Sequence, residues 1–592
     1  MMKKIRNEHL LYLLAFLLAL GLRLANLGKA PLSDFEAGWA LQSLALARGE
    51  TVTLGALPGY IFPTTLLFFL AESTNFVARF WPALAGSLLV LAPFAFREKL
   101  GQRAALIIAF GLAIDPGMMA LSRLAGGPML AIAFTMLAWA FLYRRRYAWG
   151  GVAAGLALIS GPAVITGCLG LAVAYGLARL LGVFRDDDIL PDGHPTQNSH
   201  WPSRADWLQV LIFGAGTLLI VSTLLFRFPQ GLAAWSDTLS AYLQSWTQNA
   251  GIPAGRLLAA LFFYAILALV FGLVAVIRAW VQKQKAARFL SLWLLAALAL
   301  PLLMAGRQVG DIAWSLLPLW ALAGLEISRS ARRQEPRWVS LGQAAVVVVL
   351  LIIIWLTLAA LDTALPENIS SYWLVAGAAL LIGVLVTVLI YMGWSWQAAR
   401  TGLVWGLVVG LGAYTLASAL GVSQVHPNTP QEWWVPTPTT RQAGLLADTL
   451  KDLALAQTGH ADYLDIVSLV DVPSLRWVLR NITHVDYVTS LSPETTPLIV
   501  ITRADDSSGL RQELYRGQDF GWWESPGWGG ALPWEPIKWL TSRQAPTIVE
   551  NVVLWARLDL FPEDLQTSKD AEPDLGIDES SPPADEGVDV EE

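Results

Sequence analysis

Long apolar runs separated by short polar stretches fill the chain as far as about Leu420. Many windows reach about 18 residues, close to what a helix needs to cross a hydrocarbon core about 30 Å thick. A backbone in lipid must satisfy its own hydrogen bonds, so each such run is expected as a helix. The pattern places about thirteen crossings, at about 9–27, 80–97, 104–121, 128–143, 150–166, 167–184, 208–226, 255–278, 287–306, 312–329, 338–361, 373–394 and 400–420. Two runs read differently. Tyr60–Ala71 (YIFPTTLLFFLA) is about 12 residues long with Pro63 inside it, and reads as a helix lying at, or dipping into, one face. Ala37–Arg48, with Trp39, Leu41, Leu44 and Leu46 among small and polar residues, reads as a helix resting on that interface.

Beyond the last run the pattern turns to that of a soluble domain. Residues 1–423 form the membrane part, and Gln424–Thr440 is a Pro- and Thr-rich linker. Residues 441–561 alternate expected helices (441–457, 473–482) with strands (465–470, 485–491, 497–502, 550–558), the signature of a small α/β domain. Residues 562–592 are acidic and lack aromatics, so they read as a disordered tail. The expected fold is a polytopic α-helical membrane protein with a C-terminal extracytoplasmic α/β domain.

Charge supplies the orientation. The N-terminus MMKKIRNEH is basic, and with it the clusters Arg97/Lys99/Arg103, Arg144–Arg146, Arg278/Lys283/Lys285/Arg288 and Arg329/Arg332/Arg333/Arg337 all fall on one side by alternation, the cytoplasmic one. A cleaved signal peptide competes for the first run, but the many later crossings favour an anchor. The loop 29–79, the turns near Arg123 and Arg307 and everything after Leu420 then lie outside the plasma membrane. A hydrophobic share of 55%, with 15% charged residues, excludes a soluble fold, and the net charge of −6 comes largely from the tail. No basic patch suggests nucleic acid. The single cysteine, Cys168, lies in an apolar run, read there as an ordinary thiol packed in a helix, and forms neither an intrachain disulfide nor a cysteine metal cluster. The six histidines are dispersed without ligand spacing, so no metal site is indicated by them.

Candidate chemistry concentrates in APLSDFEAGWALQSLALARGE, Ala30–Glu50, where Asp34 and Glu36 follow the first crossing at membrane level. Carboxylates in such a loop are commonly just hydrated; their place beside an interfacial helix raises them above that. Arg123 and Arg307, both at outer ends of crossings, offer guanidinium partners for a phosphate, or equally for lipid headgroups. The Trp-rich segment DFGWWESPGWGGALPWEPIKW and the loop carrying Trp235, Tyr242 and Trp246 suit the headgroup layer better than sugar stacking.

The words PLSDFEA, then NFVARFWPALAGSLLVL (Asn75–Leu91) and the basic turn REKLGQRAAL, resemble the GT-C superfamily of glycosyltransferases. The likeness is greatest to its branch of dolichyl-phosphate-mannose protein mannosyltransferases and lipid A aminoarabinose transferases. The resemblance covers roughly the first 180 residues by local pattern and the rest by topology. Glu36-Ala37 matches the family's Glu-Ala, while the aspartate, Asp34, stands one place early. The resemblance implies transfer of a sugar from a polyprenyl-phosphate donor to an extracytoplasmic protein, lipid or glycan, with inversion. Asp34 is the first choice for the base and Glu36 its partner or alternate; Arg123 and Arg307 bind the donor phosphate; Trp39 and Tyr60 contact substrate. The resemblance fixes no cofactor, and a divalent metal bridging phosphate and acids is an alternative use of the same oxygens. The chain departs from the family at Gly127, Ser160 and Leu57, where relatives carry an acid or a lysine. A non-catalytic GT-C-like protein, or a flippase or assembly partner for lipid-linked glycans, is therefore the competing reading. Nearly uncharged crossings speak against a transporter.

Overall fold

The structure, a computed structural model, describes residues 2–184, 202–330, 337–361, 369–423, 432–434, 439–492, 494–506, 509–528 and 535–561. The acidic tail, most of the expected linker, His194, His200, His426 and Trp534 lie outside the described residues. Two compact units make up the chain: Met1–Ala443 with Val472–Val478 and Gly521–Glu550, and Gly444–Asp471 with Leu479–Phe520 and Asn551–Glu592.

The first unit is a helical bundle. It opens with α1 (Met2–Leu24), α2 (Asp34–Arg48), α3 (Pro58–Leu70), α4 (Asn75–Leu89), the single turns α5 (Ala92–Ala95) and α6 (Arg97–Leu100), α7 (Gln102–Ile114), α8 (Pro116–Ser122), α9 (Met129–Tyr143), α10 (Tyr147–Leu158) and α11 (Ala163–Leu180). It continues through α12 (Arg204–Ser222), α13 (Gln230–Thr247), α14 (Ala254–Tyr264), α15 (Ile266–Val281), α16 (Lys285–Leu303), α17 (Ala313–Ser330), α18 (Arg337–Ala360), α19 (Ile369–Gly393) and α20 (Trp396–Val422). Among the described residues, 8 helices are each long and apolar enough to cross a membrane, and two bent pairs, α7 with α8 (56°) and α14 with α15 (95°), meet the same test together. The remaining expected crossings fall on α9, α10 and α17. The protein is a polytopic α-helical membrane protein, as its apolar periodicity requires. α3 has 13 residues and α2 is an amphipathic helix of 15, in keeping with runs too short or too polar to span.

Two features fix the packing. First, small residues let backbones approach. A Cβ on Gly151 or Gly155 of α10 would stand 2.5 Å from a carbonyl oxygen of α12, and one on Gly402 of α20 would stand 2.8 Å from Ser340 O of α18. Second, buried polar groups hold the helix breaks. Pro116 interrupts the α7 ladder, Asp115 Oδ1 accepts from Met118 N (2.8 Å), and Trp320 Nε1 on the buried α17 donates to Asp115 Oδ2 (2.7 Å). Arg23, at the end of the first run, is fully buried and donates to Leu112 O (3.1 Å), Ala113 O (3.2 Å) and Ser122 Oγ (3.0 Å), satisfying carbonyls that the break leaves open. Ion pairs join basic clusters two by two. Arg144 pairs with Glu98 (2.7 Å), and Arg278 pairs with Glu326 (2.9 Å) near the Arg329–Gln284 contact. Cys168 sits on an exposed face of α11 rather than packed inside the bundle.

Later segments complete this unit: β1 (Thr439–Thr440), α22 (Pro473–Val478), the second half of β5 (Tyr515–Pro526) and α23 (Glu535–Ser542). Here β1 pairs antiparallel with β5, Thr440 opposite Trp523. The second unit holds α21 (Ala443–Thr458), β2 (Asp465–Ser468), β3 (His484–Tyr487), β4 (Ile499–Arg503) and most of β6 (Thr547–Arg557). β2 lies parallel to both β3 and β4, and β4 is antiparallel to β6, with Ile499 opposite Ala556. Leu446, Leu450 and Ala454 form the buried face of α21 at a four-residue spacing.

Candidate active site

The start of α2 is built by a local rule. Ser33, in an extended conformation, is the N-cap; its Oγ accepts from Glu36 N (3.5 Å), while Glu36 Oε2 accepts from Ser33 N (3.2 Å), a capping box. This turns the Glu36 carboxylate back toward the chain. There it meets Arg79 of α4: Nε donates to Oε1 and Nη2 to Oε2, both at 2.7 Å, and Ala125 N–H adds a third donor to Oε1 at 3.0 Å. The remaining Arg79 N–H groups go to Ala30 O (2.7 Å), Pro31 O (2.8 Å) and Leu27 O (3.2 Å). Both side chains are buried, at 7% and 5% relative exposure. Glu36 and Arg79 thus form a closed clamp joining α2, α4, the 27–31 loop and the turn after α8.

Asp34 has different surroundings. It is half-buried, Oδ1 accepts from Ser474 N (2.9 Å), and Oδ2 accepts from Trp523 Nε1 (2.7 Å). Both donors are neutral and each oxygen meets one of them, so each keeps a lone pair. Trp522 Nε1 donates to Ser474 Oγ (3.0 Å), and Trp477 Nε1 donates to Asn75 Oδ1 (2.8 Å), which ties α22 and β5 to the same corner.

A cavity of about 100 Å³ opens beside the clamp, lined by Ala30, Pro31, Ser33, Glu36, Arg79, Ala120, Arg123, Leu124, Trp434 and Thr440. Arg123 donates to Arg23 O (2.8 Å) and Ala25 O (2.7 Å) at the end of α1, and has no carboxylate partner among the described residues. With Glu36 and Arg79 cancelling, Arg123 leaves this cavity with one net positive charge. Thr440 Oγ1 donates to Leu32 O (2.9 Å), closing the loop side, and Trp434 carries an indole N–H with no partner among the described residues.

Of the expected site residues, Glu36 and Arg123 come together here. Asp34 borders the cavity through Ser33 but is not part of its lining. Arg307 donates to Met304 O (2.8 Å) and Ile252 O (3.3 Å), and Tyr60, fully buried, donates to Ala78 O (2.8 Å); neither lines the cavity. Trp39 packs on the Gly126 turn and edge-on against Phe35, with no contact to the cavity. Trp522 and Trp539 are fully buried and offer no free face. Sequence reasoning passed over the capping-box spacing Ser33-x-x-Glu36, which marks Glu36 as structural, and the contributions of Trp434 and Thr440, which no local signal announces.

A second buried cluster lies beyond Trp434. Tyr264, at the α14–α15 bend, donates to Glu432, whose Oε2 is 3.7 Å from Arg543 Nη1; Arg543 also bonds Ser418 and stacks over Trp539 at 4.2 Å. Burial pushes the Glu432 carboxyl above the usual carboxylate range, opposed by the neighbouring Arg543. Among the described residues no group of three or more His, Cys, Asp or Glu is placed to hold a metal.

The sequence matches no protein-family model and no curated protein. Its fold is another matter. ArnT from Cupriavidus metallidurans in the apo state aligns with a TM-score of 0.52 at 16% identity, over 93% of this chain and 98% of that one. The same ArnT bound to undecaprenyl phosphate aligns with a TM-score of 0.50 at 16% identity, over the same 93% and 98%. The chain shares its fold with these ArnT structures. The oligosaccharyltransferase of Archaeoglobus fulgidus, in complex with Zn and sulfate, is similar only loosely, with a TM-score of 0.34 at 14% identity over 82% of this chain and 63% of that one. Within this shared fold the clamp and cavity sit where the loop after the first helix, the α4 entry and the α8 end converge.

Proposed function

We propose that the protein is a membrane glycosyltransferase that moves a sugar from a polyprenyl-phosphate donor to an extracytoplasmic acceptor, with the N-terminus cytoplasmic and residues 441–561 outside. The observation that carries the reading is the cationic cavity at Arg123, next to the Asp34 corner, in a fold shared with an ArnT that binds undecaprenyl phosphate. The donor phosphate accepts from Arg123, whose charge lacks a carboxylate partner among the described residues. An acceptor hydroxyl reaches Asp34 from the Trp523 side. Its oxygen attacks the anomeric carbon, the bond from that carbon to the phosphate oxygen breaks, the hydroxyl proton passes to Asp34, and polyprenyl phosphate leaves with the electron pair. Attack from the far face inverts the anomeric centre. Glu36, held by Arg79 and two further residues, keeps the loop in place rather than taking the proton. Arg307 does not line this cavity and has no part in the scheme.

The second reading, a non-catalytic GT-C-like protein or assembly partner, draws support from the same hydrogen bonds: Asp34 also serves as a tie for Ser474 and Trp523. One experiment separates them. Purified protein in nanodiscs is tested for binding of polyprenyl phosphate and for transfer from labelled polyprenyl-phosphate sugars. The transferase reading expects Arg123→Met to weaken lipid-phosphate binding, and Asp34→Asn to abolish transfer with binding intact. Binding without transfer in the wild type, across a panel of donors and acceptors, favours the second reading; absence of binding defeats both.

A further inference from the structure

A second cavity of the bundle lies far along the chain from the Arg123 site. It is a groove of about 340 Å³ between α18, α19 and α20, lined by Val347, Leu350, Leu351 and Ile354 on α18, Ala379 to Val388 on α19, and Leu403 and Leu407 on α20. Its size falls in the range of ligand pockets rather than packing defects. Each of the three helices is long and apolar enough to cross a membrane by itself. The one polar lining side chain, Thr387, is already engaged: its Oγ1 donates to Gly383 O (2.8 Å) and accepts from Gln343 Nε2 (3.2 Å). The rest of the lining is hydrocarbon, which suits an apolar occupant.

Position narrows the occupant. The lining residues stand in the interior of their spans, Val347–Ile354 within Trp338–Ala360 and Ala379–Val388 within Ile369–Gly393, away from both ends. An acyl chain of an ordinary phospholipid fills one leaflet, about 15 Å, and is already solvated by its neighbours. A polyprenyl chain is several leaflets long, so its distal units must run along the bilayer midplane or along protein. The small residues Ala379 and Gly383 facing branched Leu350 and Leu351 leave space for methyl branches every few carbons. One residue past the lining residue Ile354, Trp355 packs on Tyr414 of α20 at 5.4 Å. Tyr414 accepts from Arg543 (3.4 Å), Arg543 neighbours Glu432, and Trp434 two residues on lines the Arg123 cavity. α20 also packs directly on α8, whose end carries Arg123.

We propose that this groove binds the distal isoprenoid units of the polyprenyl-phosphate donor; the assignment rests on the donor reading above. Gly383 is the position at which to test it, because an added Cβ meets only Leu350 Cδ1, at 3.4 Å, so a larger side chain grows into the groove instead of into the backbone. Protein in nanodiscs is titrated with a long-chain polyprenyl phosphate and with a two-isoprene analogue, and photolabelled with a polyprenyl phosphate bearing a diazirine on its terminal unit. In the wild type the label is expected on α18–α20 peptides and to be displaced by unlabelled polyprenyl phosphate, not by excess phospholipid. Gly383→Phe, with Ala379→Phe as a second variant, should weaken long-chain binding about tenfold, the scale of losing one such buried contact area, and leave the short analogue unchanged. Labelling outside these helices, displacement by phospholipid, or equal long-chain affinity in wild type and both folded variants overturns the groove assignment while the donor reading stands. If the wild type binds neither phosphate, the donor reading itself fails. Folding of each variant is checked by its melting temperature and monodispersity.

Discussion

Replacing Glu36 by Gln separates clamp from catalyst. The carboxylate receives two charge-assisted bonds from Arg79 at 2.7 Å, one from Ala125 N and two weaker ones from Ser33, and both partners are buried. An amide in its place offers one oxygen where two are needed and turns an N–H toward the guanidinium, leaving Arg79 charged and short of its counter-ion. Breaking a buried pair from one side costs about 3–5 kcal/mol. Asp34→Asn costs less, about 1–3 kcal/mol, because only one of two neutral donors, Ser474 N or Trp523 Nε1, is left without its acceptor. Thermal unfolding in one detergent, followed by the aggregation midpoint, should thus rank wild type above Asp34→Asn above Glu36→Gln. The pair Glu36→Met with Arg79→Met should recover part of the loss by removing both charges together. Transfer measured on the folded fraction should vanish in Asp34→Asn and persist in the double variant. A Glu36→Gln protein as stable as wild type, or a Asp34→Asn protein with full transfer, refutes the division of roles.

Further consequences are measurable. Burial raises the Asp311 carboxyl to about 6. A carboxyl held above its unfolded value favours the protonated folded state, so stability falls as pH rises through that range; Asp311→Asn should raise the melting temperature more at pH 8 than at pH 5. Gly155→Val drives a side chain into Gly214 O, 2.5 Å from the Cβ position, and should lower stability by about 1–3 kcal/mol through loosening of α10 from α12, read as earlier unfolding and faster proteolysis. In a Cys168→Ser background, Lys29→Cys, on an exposed loop residue, should react with a membrane-impermeant maleimide added outside intact cells; reaction only after permeabilisation reverses the orientation and removes the proposed reaction. Chelation of divalent metal should leave transfer unchanged if Asp34 and Glu36 keep their N–H donors, and loss restored by added metal would assign their oxygens to a cation instead.

The fold could be read largely from the chain because lipid imposes a one-dimensional rule: apolar length sets each crossing, and Lys and Arg set its ends. Hence the long apolar runs fall on helices and the short α3 is marked by its length and Pro63, whereas α13, in a stretch read as a loop, has no such mark. Local rules reached further than they were applied, since Ser33-x-x-Glu36 already encodes a capping box that turns Glu36 inward. Which acid is locked in an ion pair was decided only in three dimensions. Arg79 lies 43 positions from Glu36, and Ser474 and Trp523 lie 440 and 489 positions from Asp34; pairings at such separations follow from packing of whole helices, which leaves no periodic trace. The same holds for Arg123 and Arg307, equivalent as interfacial arginines in sequence. Both donate to backbone carbonyls, but packing made Arg123 a cavity wall and left Arg307 outside that lining.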